Sequence, residues 1–321
     1  MSMSHPVAPK SNATRAPPGG GPFVAVFFHL KKCAGTTVRN LFINAQAWAM
    51  MPYCQRRTTV AKKFLIPATR QSAWIFWEFH CFLYMDQHAA ASGIAYTLRT
   101  VKEALDRRSI SSSDNVTAPT TVASFTVLRH PATLAMSEYY YWHRTTTTAE
   151  AWLQSNPELL LNWILGVKTA HGQQQNGSQC DRHEADARRA LDPLDHIAFV
   201  EAPETFLPIQ RLARFPTGVP IAQRDHLNAD NTRCHSYLHV PHTRQSNVTT
   251  VHYSGSARCN FKEQWDHMSE AERRAHTKLQ RLAESLNWCS IRIYHTLRAW
   301  KHESPSGGSN MSLVESRTAS A

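Results

Sequence analysis

Seven consecutive residues, Lys31-Lys32-Cys33-Ala34-Gly35-Thr36-Thr37, hold the first concentration of chemistry in this chain. Lysine ammonium groups neutralise an anion. A glycine lets backbone approach a ligand closely, and threonine hydroxyls at a helix start donate to oxygen. Such a turn binds phosphate when its N–H groups and the helix N-terminus converge on it. The flanking residues fit this geometry. The run FVAVFFHL before the turn is apolar, β-branched and aromatic, as a buried strand is. Val38, Leu41, Phe42 and Ala45 after it repeat at the spacing of one helix face. The order differs from a nucleotide-triphosphatase loop, G-x-x-x-x-G-K-[ST], in which the lysine follows two glycines. Here the lysines come first, so a strand-end lysine reaches the outer, reacting side of the anion.

Two further groups stand out. Arg129 ends the apolar run TVASFTVL, Pro131 opens a helix, and Ser137 lies eight positions beyond the arginine. An arginine there presents a bidentate fork to phosphate, and a serine one to two turns into the helix adds a hydroxyl. Glu78 and His80, in WEFHC, are two apart on an expected strand and share a face. Either is a candidate general base; His80 is favoured because histidine titrates near neutrality without tuning. Each group also has an ordinary reading: Arg129 as a surface salt-bridge arginine, Ser137 as a plain helix residue, the lysines as solvated charges, His80 and Glu78 as a strand-end pair.

Taken together, the motifs resemble a family. HLKKCAGTT is similar to the 5′-phosphosulfate loop of carbohydrate sulfotransferases, h-I-P-K-T-G-G-T-T/S. Lys32 takes the place of the family lysine, and Gly35, Thr36 and Thr37 match directly. Lys31 stands for the proline, Cys33 for the threonine and Ala34 for the first glycine. LRHPATLAMSEYYYW resembles the strand–arginine–helix–serine segment that clamps the donor's 3′-phosphate, nearest to the heparan sulfate 2-O- and 6-O-sulfotransferases. DHIAFVEAPETF is a weaker echo of the segment f-v-G-l-t-E-r-f.

The resemblance covers about residues 23–215. It implies a P-loop-like α/β three-layer sandwich, with a central mainly parallel sheet and helices on both faces. It implies 3′-phosphoadenosine 5′-phosphosulfate (PAPS) as sulfuryl donor, with no metal. Residues 32–37, Lys32 to Thr37, would hold the 5′-phosphosulfate, and Arg129 and Ser137 the 3′-phosphate. Lys32 would also be catalytic, with His80 or Glu78 as base. The acceptor would be a hydroxyl, less readily an amine, of a carbohydrate, and the location the Golgi lumen or membrane.

The elements that position these residues follow from patterning. Strands are expected at 23–29, 73–80, 121–128 and 196–200, alternating with helices at 36–45, 93–108, 131–143, 157–165, 182–191 and 203–215, which implies a mainly parallel sheet. Ser269-x-x-Glu272 is a capping box before another helix, and a last helix covers 290–301. One domain, 23–303, is expected. It lies between a disordered lead at 1–22 and a disordered tail at 304–321, with polar loops at 109–119 and 171–181. Residues 216–260, rich in Pro, Gly, Asn and His, read as a substrate or lid region.

Composition narrows the partners. The net charge of +11 suits a polyanion. A basic nucleic-acid- or glycan-binding protein without catalysis, or a P-loop nucleotide enzyme, are the alternatives. No nucleic-acid-binding signature is present, and the Walker lysine and a Mg²⁺ carboxylate are missing. Seven cysteines without a CxxC pair argue against structural zinc. Cys180, Cys234 and Cys259 are expected in loops, able to pair in an oxidising lumen; Cys33 and Cys81 are expected as free thiols. Five N-x-S/T sequons, at Asn12, Asn115, Asn176, Asn247 and Asn310, point the same way. No run reaches transmembrane length, so membrane association would need an anchor outside this sequence, and a soluble cytoplasmic protein is the other expectation.

Overall fold

The apolar run Phe23–Phe28 forms β1, and all six of its residues are buried. In the computed structural model, residues 22–45, 47–50, 74–79, 90–111, 120–143, 146–165, 176–214 and 269–303 are described. The other strands are β2 (Trp48–Met50), β3 (Trp74–Phe79), β4 (Thr121–Leu128) and β5 (His196–Phe199). They form one sheet in the order β2-β3-β1-β4-β5, and every neighbouring pair is parallel. A strand flanked on both sides in a parallel sheet is covered above and below, which is why β1 carries a continuous apolar run and β3 one broken only by Glu78, rather than alternation.

The chain leaves β1 towards β2 and β3, then crosses back over β1 to place β4 on its other side. Such a reversal opens a crevice at the carboxyl ends of the strands, the place where open α/β sheets hold ligands. The turn at 31–34 and Arg129 both lie there.

The helices are α1 (Gly35–Asn44), α2 (Ala90–Ser111), α3 (Pro131–Glu138), α4 (Ala149–Ser155), α5 (Leu159–Leu165), α6 (Gly177–Leu191), α7 (Leu207–Arg214), α8 (Glu270–Leu286) and α9 (Trp288–Glu303). A π-helical turn, Tyr139–His143, extends α3. A 3₁₀ turn, Pro203–Phe206, precedes α7. Helices α1 and α7 pack together, while α2 to α6, α8 and α9 form a second connected set. On one sheet face, Phe42 of α1 stacks on Phe76 and Phe125 at 4.4 and 5.8 Å. Strand alternation puts Phe27 and Glu78 on that same face, since they are register partners.

Several expectations change. Strand β2 and helix α4 fall where no element was expected. The loop at 171–181 is shorter than expected: α6 starts at Gly177, where the Asn176 side chain accepts from the Gln179 backbone N–H and Gln179 returns the bond. Cys180 is therefore on a buried helix face, not in a loop, and it is disulfide-bonded to Cys289 of α9 rather than to Cys234 or Cys259. The capping box at Ser269 and Glu272 forms as expected. Cys33 is a free, buried thiol. The lead at 1–21, the region 216–260, the tail at 304–321, His80, Cys81, Cys234, Cys259 and all sequons but Asn176 lie outside the described residues. Among the described residues no helix is long and apolar enough to cross a membrane.

Candidate anion site at the strand ends

The turn after β1 is built by two residues in left-handed backbone conformation, Lys32 at φ 59° and Ala34 at φ 56°, with Cys33 between them. Cys33 N–H donates to the Leu30 carbonyl at 3.2 Å, and Val38 N–H to the Ala34 carbonyl at 3.0 Å, which begins α1. Alternating backbone handedness gathers successive N–H groups into one concavity, the shape that cradles an anion. Gly35 is required by space: a Cβ there would lie 2.0 Å from two atoms of the His29 ring. Thr36 is exposed and Thr37 partly so, as hydroxyl donors at a helix start must be. Cys33 is fully buried, and burial pushes its thiol pKa up to about 12, so its backbone belongs to the turn while its sulfur is inert.

Strand β4 runs beside β1, which brings Arg129 to the same rim. One Arg129 guanidinium nitrogen donates to the Lys32 carbonyl at 3.2 Å and to Ser137 Oγ at 3.1 Å. The eight-residue spacing thus becomes a direct contact between arginine and serine, tied to the backbone of the lysine turn. Arg129 Nε is buried and has no hydrogen-bond partner among the described residues, so the guanidinium keeps donor capacity for a ligand. The start of α3 is fixed by Glu201, beyond β5. It accepts from the His130 N–H, the Thr133 hydroxyl and the Tyr294 hydroxyl at 3.0, 3.0 and 2.8 Å.

The charges at this rim are coupled. Burial lowers the Lys32 pKa to about 8; nearby Glu138 opposes this and Arg129 reinforces it. Burial raises the Glu138 carboxyl above its ordinary range, with Lys31 and Lys32 pulling it back. Glu138 Oε2 is buried with no hydrogen-bond partner among the described residues. The Lys32 ammonium lies 3.3 Å from the centre of the Tyr141 ring, and Lys31 lies 5.1 Å from that of Trp163.

Glu78 is part of a different arrangement, one that sequence reasoning missed. Its carboxylate is fully buried and accepts twice from Arg39 of α1, at 2.7 and 2.9 Å. Its Oε1 is also 2.7 Å from His29 Nδ1. His29 follows β1, stacks on Phe27 at 5.2 Å, and presses on Gly35. Glu78 therefore fixes His29, and His29 fixes the closeness of the turn. The signal available in sequence was alternation, since Phe27, His29 and Glu78 all face α1 once β1 and β3 are paired; the pairing itself is not visible there. Lys32, Cys33, Ala34, Gly35, Thr36, Thr37, Arg129 and Ser137 are thus gathered at one rim. Glu78 lies beneath it, and His80 is one residue past the described end of β3.

This rim sets two groups of donors side by side: the turn with the α1 N-terminus, and the Arg129 guanidinium with Ser137. No protein-family model, curated protein or solved structure matches the chain.

Proposed function

We propose that the chain is a sulfotransferase that moves a sulfuryl group from PAPS to a hydroxyl, less readily an amine, of a carbohydrate acceptor, on a P-loop-like three-layer α/β sandwich. One observation carries the reading: the Arg129 guanidinium bonds both Ser137 and the Lys32 backbone, coupling two anion-holding groups at the ends of adjacent parallel strands. A donor with phosphate at both its 3′ and 5′ positions suits that pair better than a linear triphosphate does. The buried, unpartnered Arg129 Nε supports the fit.

PAPS, when bound, supplies the sulfuryl group and a leaving 5′-phosphate. Gly35, Thr36 and Thr37, with Ala34, would hold the 5′ end through N–H groups and hydroxyls, while the Cys33 N–H shapes the turn through its bond to the Leu30 carbonyl. Arg129 and Ser137 would hold the 3′-phosphate. Lys32 would neutralise the negative charge that grows on the leaving oxygen, a task for a preorganised ammonium in a poorly solvated site. The proton of the acceptor hydroxyl passes to a general base. Glu78 has no exposed surface and both oxygens engaged, which favours His80 over Glu78 for that role.

The outer side of α8 supports an anionic acceptor. Arg273, Arg274, Lys278 and Arg281 lie together there beside Glu270 and Thr277, although Arg274 pairs with Glu270 at 2.9 Å and Lys278 approaches Glu150 at 3.8 Å. The buried Cys180–Cys289 disulfide supports folding in an oxidising compartment, in keeping with a Golgi lumen.

A panel of glycosaminoglycans and unsulfated backbones, incubated with sulfur-labelled PAPS, tests the reaction. Label transferred to at least one glycan, and lost in Lys32→Ala, is the expected result. Transfer that persists unchanged in Lys32→Ala would remove the lysine from the mechanism.

A further inference from the structure

The segment beyond Glu138 does not continue as α-helix. It widens into the single π-helical turn Tyr139–His143, a distortion that costs regular hydrogen bonding and that is frequent at functional sites. Tyr139 and Tyr140 are buried, and the Tyr139 hydroxyl donates to the Thr147 carbonyl at 3.1 Å. Tyr141 and Trp142 face outwards, 49% and 55% exposed. They meet edge to face at 4.6 Å. Tyr141 also covers the Lys32 ammonium, 3.3 Å from the ring centre. Tyr96 and Leu207, the other exposed large apolar side chains among the described residues, stand on α2 and α7.

We propose that Trp142, with Tyr141 standing edge to face against it, forms the acceptor platform, a stacking surface for one pyranose ring beside Lys32. The inference rests on the sulfotransferase reading above. Aromatic faces with a wet surround suit a ligand that is apolar on one side and polar at its rim, and a sugar ring has an apolar C–H face and a rim of hydroxyls. Position argues for the acceptor over the donor's adenine. Adenosine links the two phosphate sites, at the turn and at Arg129 with Ser137, whereas Tyr141 lies over the ammonium itself, where the transferred group must leave.

The test compares wild type, Trp142→Ala and Trp142→Phe. Titration calorimetry measures binding of 3′,5′-ADP, and separately of heparosan and chondroitin oligosaccharides, without donor. Because Trp142 is half exposed, its removal leaves the fold intact, which the melting temperature checks. Trp142→Ala is expected to weaken binding of at least one oligosaccharide about tenfold and to leave 3′,5′-ADP affinity within about twofold. Trp142→Phe should keep most of the glycan affinity. Equal glycan binding by wild type and Trp142→Ala, or no glycan binding by wild type, overturns the platform. A loss confined to 3′,5′-ADP reassigns the aromatic pair to the donor and also overturns it. Failure of wild type to bind 3′,5′-ADP, with Trp142-dependent glycan binding retained, would sink the sulfotransferase reading and leave a sugar-binding surface.

Discussion

At the scale of single residues, the lysine turn is a compromise between backbone strain and charge placement. Ala34 holds a left-handed conformation that costs an L-residue about 1–2 kcal/mol. Ala34→Gly removes that strain but adds unfolded-state entropy, so a net gain of up to about 1 kcal/mol is expected in urea unfolding. Gly35→Ala should act in the opposite sense. Its methyl group would enter the His29 ring, displacing the turn and lowering the melting temperature and, on the proposed function, 3′,5′-ADP affinity. Lys32 sets the pH dependence. Its folded pKa is lowered to about 8, so in the free protein its positive charge is present below that pH and lost as pH rises through it. Binding of 3′,5′-ADP should weaken over the same window. Since Glu138 is what pulls this pKa upward, Glu138→Gln should move the fall to lower pH; an unshifted profile would separate Glu138 from Lys32.

At the scale of elements, the site depends on a helix and two strands held by buried polar contacts. Arg39 of α1 and Glu78 of β3 form one of these, with His29 as third member. Removing one partner of a buried ion pair leaves an uncompensated charge and typically costs about 3–5 kcal/mol. Arg39→Met should therefore destabilise strongly, and Arg39→Met with Glu78→Met should recover much of the loss; additive losses in a double-mutant cycle would mean the two do not act as a pair. The elements around this contact were legible in sequence to different degrees. Strands β1, β3, β4 and β5 announce themselves as short apolar runs. The three residues of β2 are too few to show a period, and their pairing with β3 comes from tertiary contact. The run YYYW is apolar throughout, so no pattern distinguishes an α-turn from the π-turn that splits it into buried and exposed halves. Lys32, Gly35 and Arg129 were legible because each sits at a strand–helix junction marked by Gly or Pro, and Ser137 because of its eight-residue spacing from Arg129. His29 and Arg39 were not, because their roles arise only when Glu78, 39 positions past Arg39, is brought over α1.

At the scale of the whole molecule, the second helix set is locked where α5, α6 and α9 meet. The Cys180–Cys289 disulfide joins α6 to α9 across 109 residues. Beside it, Glu158 accepts from the Cys289 and Ser290 N–H groups at 3.1 and 2.7 Å, and Asn287 accepts from Leu159 N–H at 2.9 Å. A bridge closing so long a loop restricts the unfolded chain, and losing one commonly costs about 2–5 kcal/mol. Cys289→Ser should lower stability by that order, and reduction under denaturing conditions should do the same to wild type. No sequence spacing foretells this pair, since it depends on how two distant helices cross. Tyr294 of α9 carries the lock to the anion site through its bond to Glu201, which holds the start of α3.

On the proposed function, one rim takes two phosphates, the second at Arg129 and Ser137. Calorimetric binding of 3′,5′-ADP, 5′-AMP and Mg²⁺-ATP to wild type, Arg129→Ala and Ser137→Ala tests it most directly. Wild type should bind 3′,5′-ADP at least about tenfold more tightly than 5′-AMP, and Arg129→Ala should remove this difference, because the advantage is that of the 3′-phosphate. Ser137→Ala should remove part of it. Equal affinity for 3′,5′-ADP and 5′-AMP in wild type, or preferential Mg²⁺-dependent binding of ATP, would contradict the account.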